Sequence, residues 1–299
     1  METILAFLAL LSIAIAGGFL FEGVERKLFA RLQNRKGPPL LQPLYDALKL
    51  LLAKETVIPA NASPLVFVLA PYISAAAAIT AVLFIPLGGS APLAFNGDLI
   101  VLLYTLALST AALFLGASAS GSPFAALGAS REMTLYISLE LSLALAVLAP
   151  AFAAGSFSLA LISAQQFAPL PLAAVVFFVA VLAELGKKPF DISEAEQEIA
   201  EGLYAEYSGR LLGMFKIASA LKHYIYACMF AVLFVPMPVE WPVATRIAAQ
   251  LAAALLFVCA MALVRSVSAR FRLHSASRFY LSVVAFLAFI QFVLVYLWR

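Results

Sequence analysis

Long uncharged apolar runs alternate with short polar connections along the whole chain. Thr3 to Phe21 forms the first such run, and its span is placed at 3–22. Further spans are predicted at 64–87, 99–120, 134–154, 169–185, 211–235, 242–264 and 280–298. Each is close to the roughly 20 residues that carry a helix across the hydrocarbon core of a bilayer. The pattern therefore predicts an all-α polytopic membrane protein, one membrane domain over 1–299 with about eight transmembrane helices. Glu2 is the only charge ahead of the first run and a basic cluster follows it, so that run reads as an uncleaved span rather than a secretory signal.

Two connections carry more pattern than a simple tether needs. After Pro38-Pro39, the residues Leu40, Leu41, Leu44, Leu48, Leu51 and Leu52 align on one helical face, opposite Asp46, Lys49 and Lys54. This predicts an amphipathic helix lying on the membrane surface or beneath a partner. Between spans five and six, Glu184 to Arg210 holds Glu184, Asp191, Glu194, Glu196, Glu198, Glu201 and Glu206, a dense share of the chain's 16 acidic residues. Pro189 is expected to stop the preceding helix. Asp191 reads as the N-cap of a new one, with Ser193 and Glu196 offering a second register. On that helix Glu194, Glu198 and Glu201 would share a face. Stacked like charges destabilise a helix and raise one another's pKa, which suits the handling of protons or cations. An acidic loop that only docks a basic partner is the alternative.

Composition narrows the class. Hydrophobic residues make up 64% of 299 positions, 12% are charged, and mean hydropathy is +1.02. No soluble domain hides that much apolar surface. Cys228 and Cys259 both fall in predicted spans; two thiols cannot build an iron–sulfur site, and they read as small core residues. Most of the 19 basic residues lie in the odd-numbered connections, including Arg26, Arg31, Arg35, Lys36, Lys187, Lys188, Arg210, Arg265 and Arg270. The excess of positive charge places those connections in the cytoplasm and both termini outside, in the inner (cytoplasmic) membrane.

Ionisable residues at depth are the candidate chemistry. Glu140 stands in the fourth span about 13 Å along the helix from Arg131, where a carboxylate is costly and points to function or to a pair with a lysine. In the sixth span Lys216, Ser219, Lys222, His223 and Tyr226 fall within an arc of roughly 120°, a polar stripe that must face protein or water. Lys and His are also the side chains whose pKa enters working range when partly desolvated. The sequence carries no P-loop, glycine-rich nucleotide loop, metal-ligand spacing or nucleophile elbow. Proton or ion passage and docking are the chemistries left, and a stand-alone secondary transporter is one reading of them, although no paired halves are visible.

Three stretches resemble the H-subunit family of respiratory complex I. They are Glu25-Arg26-Lys27 through Gly37-Pro38-Pro39 and on to Leu51, Gly128-Ala129-Ser130-Arg131 with Ile137-Ser138-Leu139-Glu140, and Ala183-Glu184 with Lys188-Pro189-Phe190-Asp191, Glu194-Ala195-Glu196 and Glu206-Tyr207-Ser208-Gly209. Within the family the chain departs from the quinone-reducing branch, since Leu185-Gly186-Lys187-Lys188 follows Glu184 and a lysine pair occupies the sixth span. In this it is similar to the membrane anchor of energy-converting nickel–iron (NiFe) hydrogenases and formate hydrogenlyases.

The resemblance implies an anchoring and coupling subunit beneath a peripheral redox arm. Hydrogenase large and small subunits and an iron–sulfur subunit would sit on the cytoplasmic loops, holding the NiFe centre and the iron–sulfur clusters, with none bound by this chain. Antiporter-like membrane subunits would lie alongside in the lipid membrane, and no nucleic acid is implied. The proton or ion path would use Glu140, Glu184, Asp191, Glu194, Glu196, Glu198, Glu201, Glu206, Lys216, Lys222 and His223. Partner docking would use Glu25, Arg26, Arg31, Arg35, Lys36, Lys187, Lys188 and Arg210. A quinone-chamber subunit of a complex I-type enzyme is the alternative within the same family.

Overall fold

The computed structural model describes residues 2–89, 91–164, 170–238 and 240–298, with side chains throughout these except at 2–6, 196 and 298. The architecture is all-helical. The first helix, α1 (Glu2–Leu32), continues about ten residues past the apolar run and ends in the basic cluster. The amphipathic helix is α2 (Gln42–Leu52). It packs on the sixth predicted span through Ala47, Leu50 and Leu51, leaving Tyr45, Leu48 and Leu52 exposed. Next come α3 (Pro64–Val82), α4 (Asp98–Ser118) and α5 (Pro123–Ala154), the last beginning eleven residues before the predicted span. A short α6 (Leu159–Ala164) precedes α7 (Pro171–Glu184). The chain then runs through a one-turn α8 (Glu196–Ile199), α9 (Gly209–Phe234) and α10 (Val243–Val267). The final segment is α11 (Leu273–Phe279), a π-helical turn over Tyr280–Val284, and α12 (Ala285–Trp298).

Seven of these segments are long and apolar enough to cross a membrane. The fifth predicted segment is the exception: α7 has 14 residues, about 21 Å of rise, which is short of a full hydrocarbon crossing. Residue 169, its predicted start, lies outside the described residues. The core is one large apolar cluster in which α9 is central, with α1, α3 and α10 packed along it. Buried residues occupy 78% of the apolar window of α9, far more than in α1 or α10. Its polar stripe is therefore enclosed by protein, as the sequence requires.

The helix predicted over 191–201 does not form. The stop comes earlier than Pro189: Gly186, with φ +60°, follows the last turn of α7, and the N–H groups of Gly186 and Lys187 bond the carbonyls of Ala183 and Leu182. This is a glycine-terminated helix end in which a left-handed residue closes the free carbonyls. Asp191 makes no cap, Glu196–Ile199 forms a single helical turn followed by a 3-10 turn over Gly202–Tyr204, and Ala200 and Glu201 between them both have positive φ. Tertiary anchors set this path. Phe190 is buried against Tyr280, ring centroids 4.9 Å apart, and Tyr207 stacks on Phe67 at 4.2 Å. Between them the chain lies directly on α5, where a Cβ at Gly128 would stand 2.9 Å from the Leu203 nitrogen. Fixing both ends while burying Ile192, Ala195 and Ile199 leaves no room for a straight helix, and the like charges favour none.

Candidate functional site

At the end of the molecule holding the connections after α1, α7 and α10, the helices open around a cavity of about 750 Å³. Ten of its seventeen lining residues are charged, which makes it a hydrated vestibule rather than an apolar pocket. Its walls include Glu22 and Arg26 from α1, Lys187, Lys188, Asp191, Glu194 and Glu201 from the acidic segment, Lys216 from α9, and Arg265 and Arg270 from the end of α10 and beyond. Lys216 also lies over the Tyr204 ring, 4.9 Å from its centroid. Burial pushes the Glu194 carboxyl above its ordinary range, with Lys216 and Lys187 opposing the shift. The Tyr204 hydroxyl is likewise raised by burial and by nearby carboxylates.

A second, smaller cavity of about 20 Å³ continues inward, sharing Leu185, Gly186, Glu194, Tyr204 and Ser219 with the vestibule. Glu132, Glu184 and Lys222 line its deep side. Glu184 is 4% exposed and Lys222 7%. Thr110 on α4 joins them: its hydroxyl donates to Glu184 Oε1 at 2.6 Å and accepts from Lys222 Nζ at 3.1 Å. The direct Lys222–Glu184 separation is 3.9 Å. Thus the two deep side chains named from sequence form one buried pair at the end of a polar route.

A separate buried cluster surrounds Glu25, which is 0% exposed. Arg265 approaches Oε1 at 2.9 Å, while Lys187 and His223 approach Oε2 at 3.3 and 3.1 Å. Four parts of the chain (α1, the turn after α7, α9 and α10) meet on this one carboxylate. Glu25 is therefore not a docking residue: with no accessible surface it ties the bundle together. Arg26 is turned inward too, pairing with Glu22 and with Asp46 at 3.6 Å. Arg31, Arg35, Lys36 and Arg210 stay exposed.

The remaining predicted residues separate. Asp191 pairs with Arg270 at 3.0 Å. Glu198 is exposed and pairs with Arg131 at 2.7 Å, a hydrogen bond that lowers its pKa. It is thus split from Glu194 and Glu201 rather than sharing a helical face with them. Glu206 is half-buried outside both cavities, and the Glu196 side chain lies outside those described. Glu140 is exposed on the flank of α5 and makes no lysine pair, because Lys222 is turned to Glu184.

Sequence reasoning missed Thr110, Glu132, Arg265 and Arg270 as site residues. Glu132 had a signal, a carboxylate one residue after a predicted interfacial arginine. Arg131 does not pair with it but reaches Glu198 and the Ile192 carbonyl. Asp98 was also missed. It is 0% exposed, and its Oδ1 accepts the Leu159 N–H at 2.8 Å, a structural role in starting α6.

Comparison with known proteins agrees with this architecture. The NADH dehydrogenase family model matches residues 3–296. The H subunit of NADH-quinone oxidoreductase from Syntrophotalea carbinolica is 42% identical over 229 residues, 70% of this chain and 69% of that protein. Formate hydrogenlyase subunit 4 of Escherichia coli is 39% identical over 219 residues, 71% of each chain. Among solved structures, a chain of the membrane-bound sulfane sulfur reductase, an archaeal respiratory membrane complex, superposes with a TM-score of 0.90 at 29% identity. That match covers 99% of this chain and 100% of the other.

Proposed function

This chain belongs to the NADH dehydrogenase family, and from that membership we propose that it is the membrane-anchoring, energy-coupling subunit of an ion-translocating NiFe hydrogenase complex. The reading rests on one observation above the others: a charged vestibule open at one end leads, through shared walls, to the buried Glu184–Lys222 pair. Charged side chains at such depth are expensive and are retained where ions or protons pass. The likeness to formate hydrogenlyase subunit 4 and to hydrogenase-4 component C of Escherichia coli, 38% identical over 218 residues, supports a hydrogenase as the redox arm. In this reading, large and small hydrogenase subunits and an iron–sulfur subunit carry the NiFe centre and the clusters over the vestibule. Exposed Arg31, Arg35, Lys36 and Arg210 meet them. Antiporter-like subunits flank the membrane domain, and the vestibule faces the cytoplasm with both termini on the far side of the inner membrane.

Each residue then has a physical task. The vestibule carboxylates, Glu194 foremost, collect cations or protons from water. The Glu184–Lys222 pair responds to that charge, because a proton arriving on Glu184 leaves the lysine without its partner. Glu140, at the flank, passes the change to the neighbouring subunit.

Purification of the tagged chain from mild detergent extract is expected to bring down nickel-bearing subunits that evolve hydrogen from an artificial reductant. Recovery of the chain alone and free of nickel, across several detergents, would count decisively against the proposal. A quinone chamber is the second reading, favoured by the likeness to the H subunit of NADH-quinone oxidoreductase. It predicts inhibitor-sensitive quinone reduction, but the charged lining is a poor host for an apolar ring and isoprenoid tail.

A further inference from the structure

The path just described gives no task to Glu132, and the structure does not place it idly. Glu132 is 7% exposed on α5, and its Oε2 accepts a hydrogen bond from the Ser193 hydroxyl at 2.5 Å. It lines the inner cavity with Glu184 from α7, Glu194 from the acidic segment and Lys222 from α9, the charged groups that act on it from the elements around it. Lys222, the one cation lining this cavity, is already engaged by Thr110 and Glu184. Glu194 is met from the vestibule side by Lys216 and Lys187, so Glu132 and Glu184 are left to share Lys222, and two ionised carboxylates against that one ammonium would leave an uncompensated negative charge in a desolvated space. Like charges at such range are not all kept ionised away from water, so the cavity retains a proton. An independent feature points to a mobile occupant. Glu184 Oε2 is buried without a hydrogen-bond partner, and the cavity, at about 20 Å³, has room for one water.

We propose that Glu132 is the carboxyl that stores a translocated proton between the vestibule and the Glu184–Lys222 pair. The inference rests on the coupling function above and assigns it a residue. Glu194, open to the vestibule, gives its proton through the cavity water to the Glu132 carboxylate. Vestibule water then reprotonates Glu194, and Glu132 passes its proton to Glu184. Only O–H bonds are made and broken, and no electron moves. Ser193 is a positioning residue: its donated hydrogen bond favours the ionised form of Glu132, and its loss favours the protonated one.

The test is redox-driven translocation by the intact complex in proteoliposomes, comparing Glu132→Gln, Glu132→Asp, Ser193→Ala and Glu184→Gln. Glu132→Gln is expected to lose translocation on the order of a hundredfold while redox turnover and subunit stoichiometry persist. Glu132→Asp should restore most of it, and Ser193→Ala should move the pH profile of translocation to higher pH. Wild-type pumping by Glu132→Gln alongside failure of Glu184→Gln overturns the proposal and leaves the coupling function standing. Wild-type pumping by both sinks the coupling function itself. Should Glu132→Gln fail to assemble, Ser193→Ala decides: an unshifted pH profile overturns the proposal.

Discussion

Lys222 and Glu184, 38 residues apart in sequence, meet at 3.9 Å in the interior, bridged by the Thr110 hydroxyl. Both side chains are buried, and each offsets the cost of burying the other's charge, which makes the pair sensitive to any proton or cation reaching the inner cavity.

Lys222→Met should therefore impair translocation while the complex still assembles. It leaves Glu184 unpaired in a low-dielectric site, and a broken buried pair costs about 3–5 kcal/mol where it stays ionised. Glu184 is expected to take up a proton instead and remain neutral. The double variant Lys222→Met/Glu184→Gln should recover thermal stability without recovering ion movement. Recovery of pumping in the double variant would show that the pair is structural only.

Glu25→Gln is expected to be far more damaging to the fold. Lys187, His223 and Arg265 all converge on this carboxylate, and removing it strands them around a neutral amide. A loss of about 3–5 kcal/mol follows from leaving buried charge unpaired. Exposed Glu201→Gln, in contrast, should stay within about 0.5 kcal/mol of wild type. Thermal unfolding of the purified chain in nanodiscs and its level in membranes measure both.

Glu140→Gln should reduce pumping with assembly intact. Its exposure on the flank of α5, inside a spanning helix, is untenable against lipid and implies cover by a neighbouring membrane subunit. A photo-crosslinker at Ile137, 61% exposed on the same flank, should capture that subunit in the complex. Capture of lipid alone would refute the lateral contact.

Stability should vary with pH in two opposed ways. Burial raises Glu194 above the ordinary 4.5, so the folded chain holds its proton more firmly than the unfolded one. Its contribution is full below 4.5 and is lost as pH rises through the raised value. Arg131 lowers Glu198, so that contribution is present above 4.5 and is lost as pH falls through the lowered value. Glu194→Gln should raise the thermal midpoint near neutrality, and Arg131→Ala should flatten the acid limb of the curve. Identical pH curves for wild type and both variants would contradict these assignments.

How legible the chain was depends on what each signal had to encode. Apolar runs are long, local and redundant, so the helices over 64–82, 98–118 and 209–234 follow from sequence, as does the need to enclose the Lys216–Tyr226 stripe. The acidic segment was misread because propensity and spacing describe an isolated peptide. Phe190 held at Tyr280 and Tyr207 held at Phe67 bind that peptide at both ends, and contact with Gly128 overrides the local preference. Glu25 was misread for a related reason: a Glu-Arg-Lys triplet after a span looks like a docking surface until Lys187, Arg265 and His223 are seen to converge on its first residue.

The sequence by itself determined the helical membrane class, the family resemblance and the set of ionisable residues that bear on coupling, since those depend on composition and on order along one chain. Only the tertiary structure decided which of them meet. Pairing within the interior is set by how α1, α4, α5, α7 and α9 pack, and a shift of a single helical turn would exchange every partner. That is why Lys222 found Glu184 rather than Glu140, and why Glu132 emerged from beside an arginine that points elsewhere.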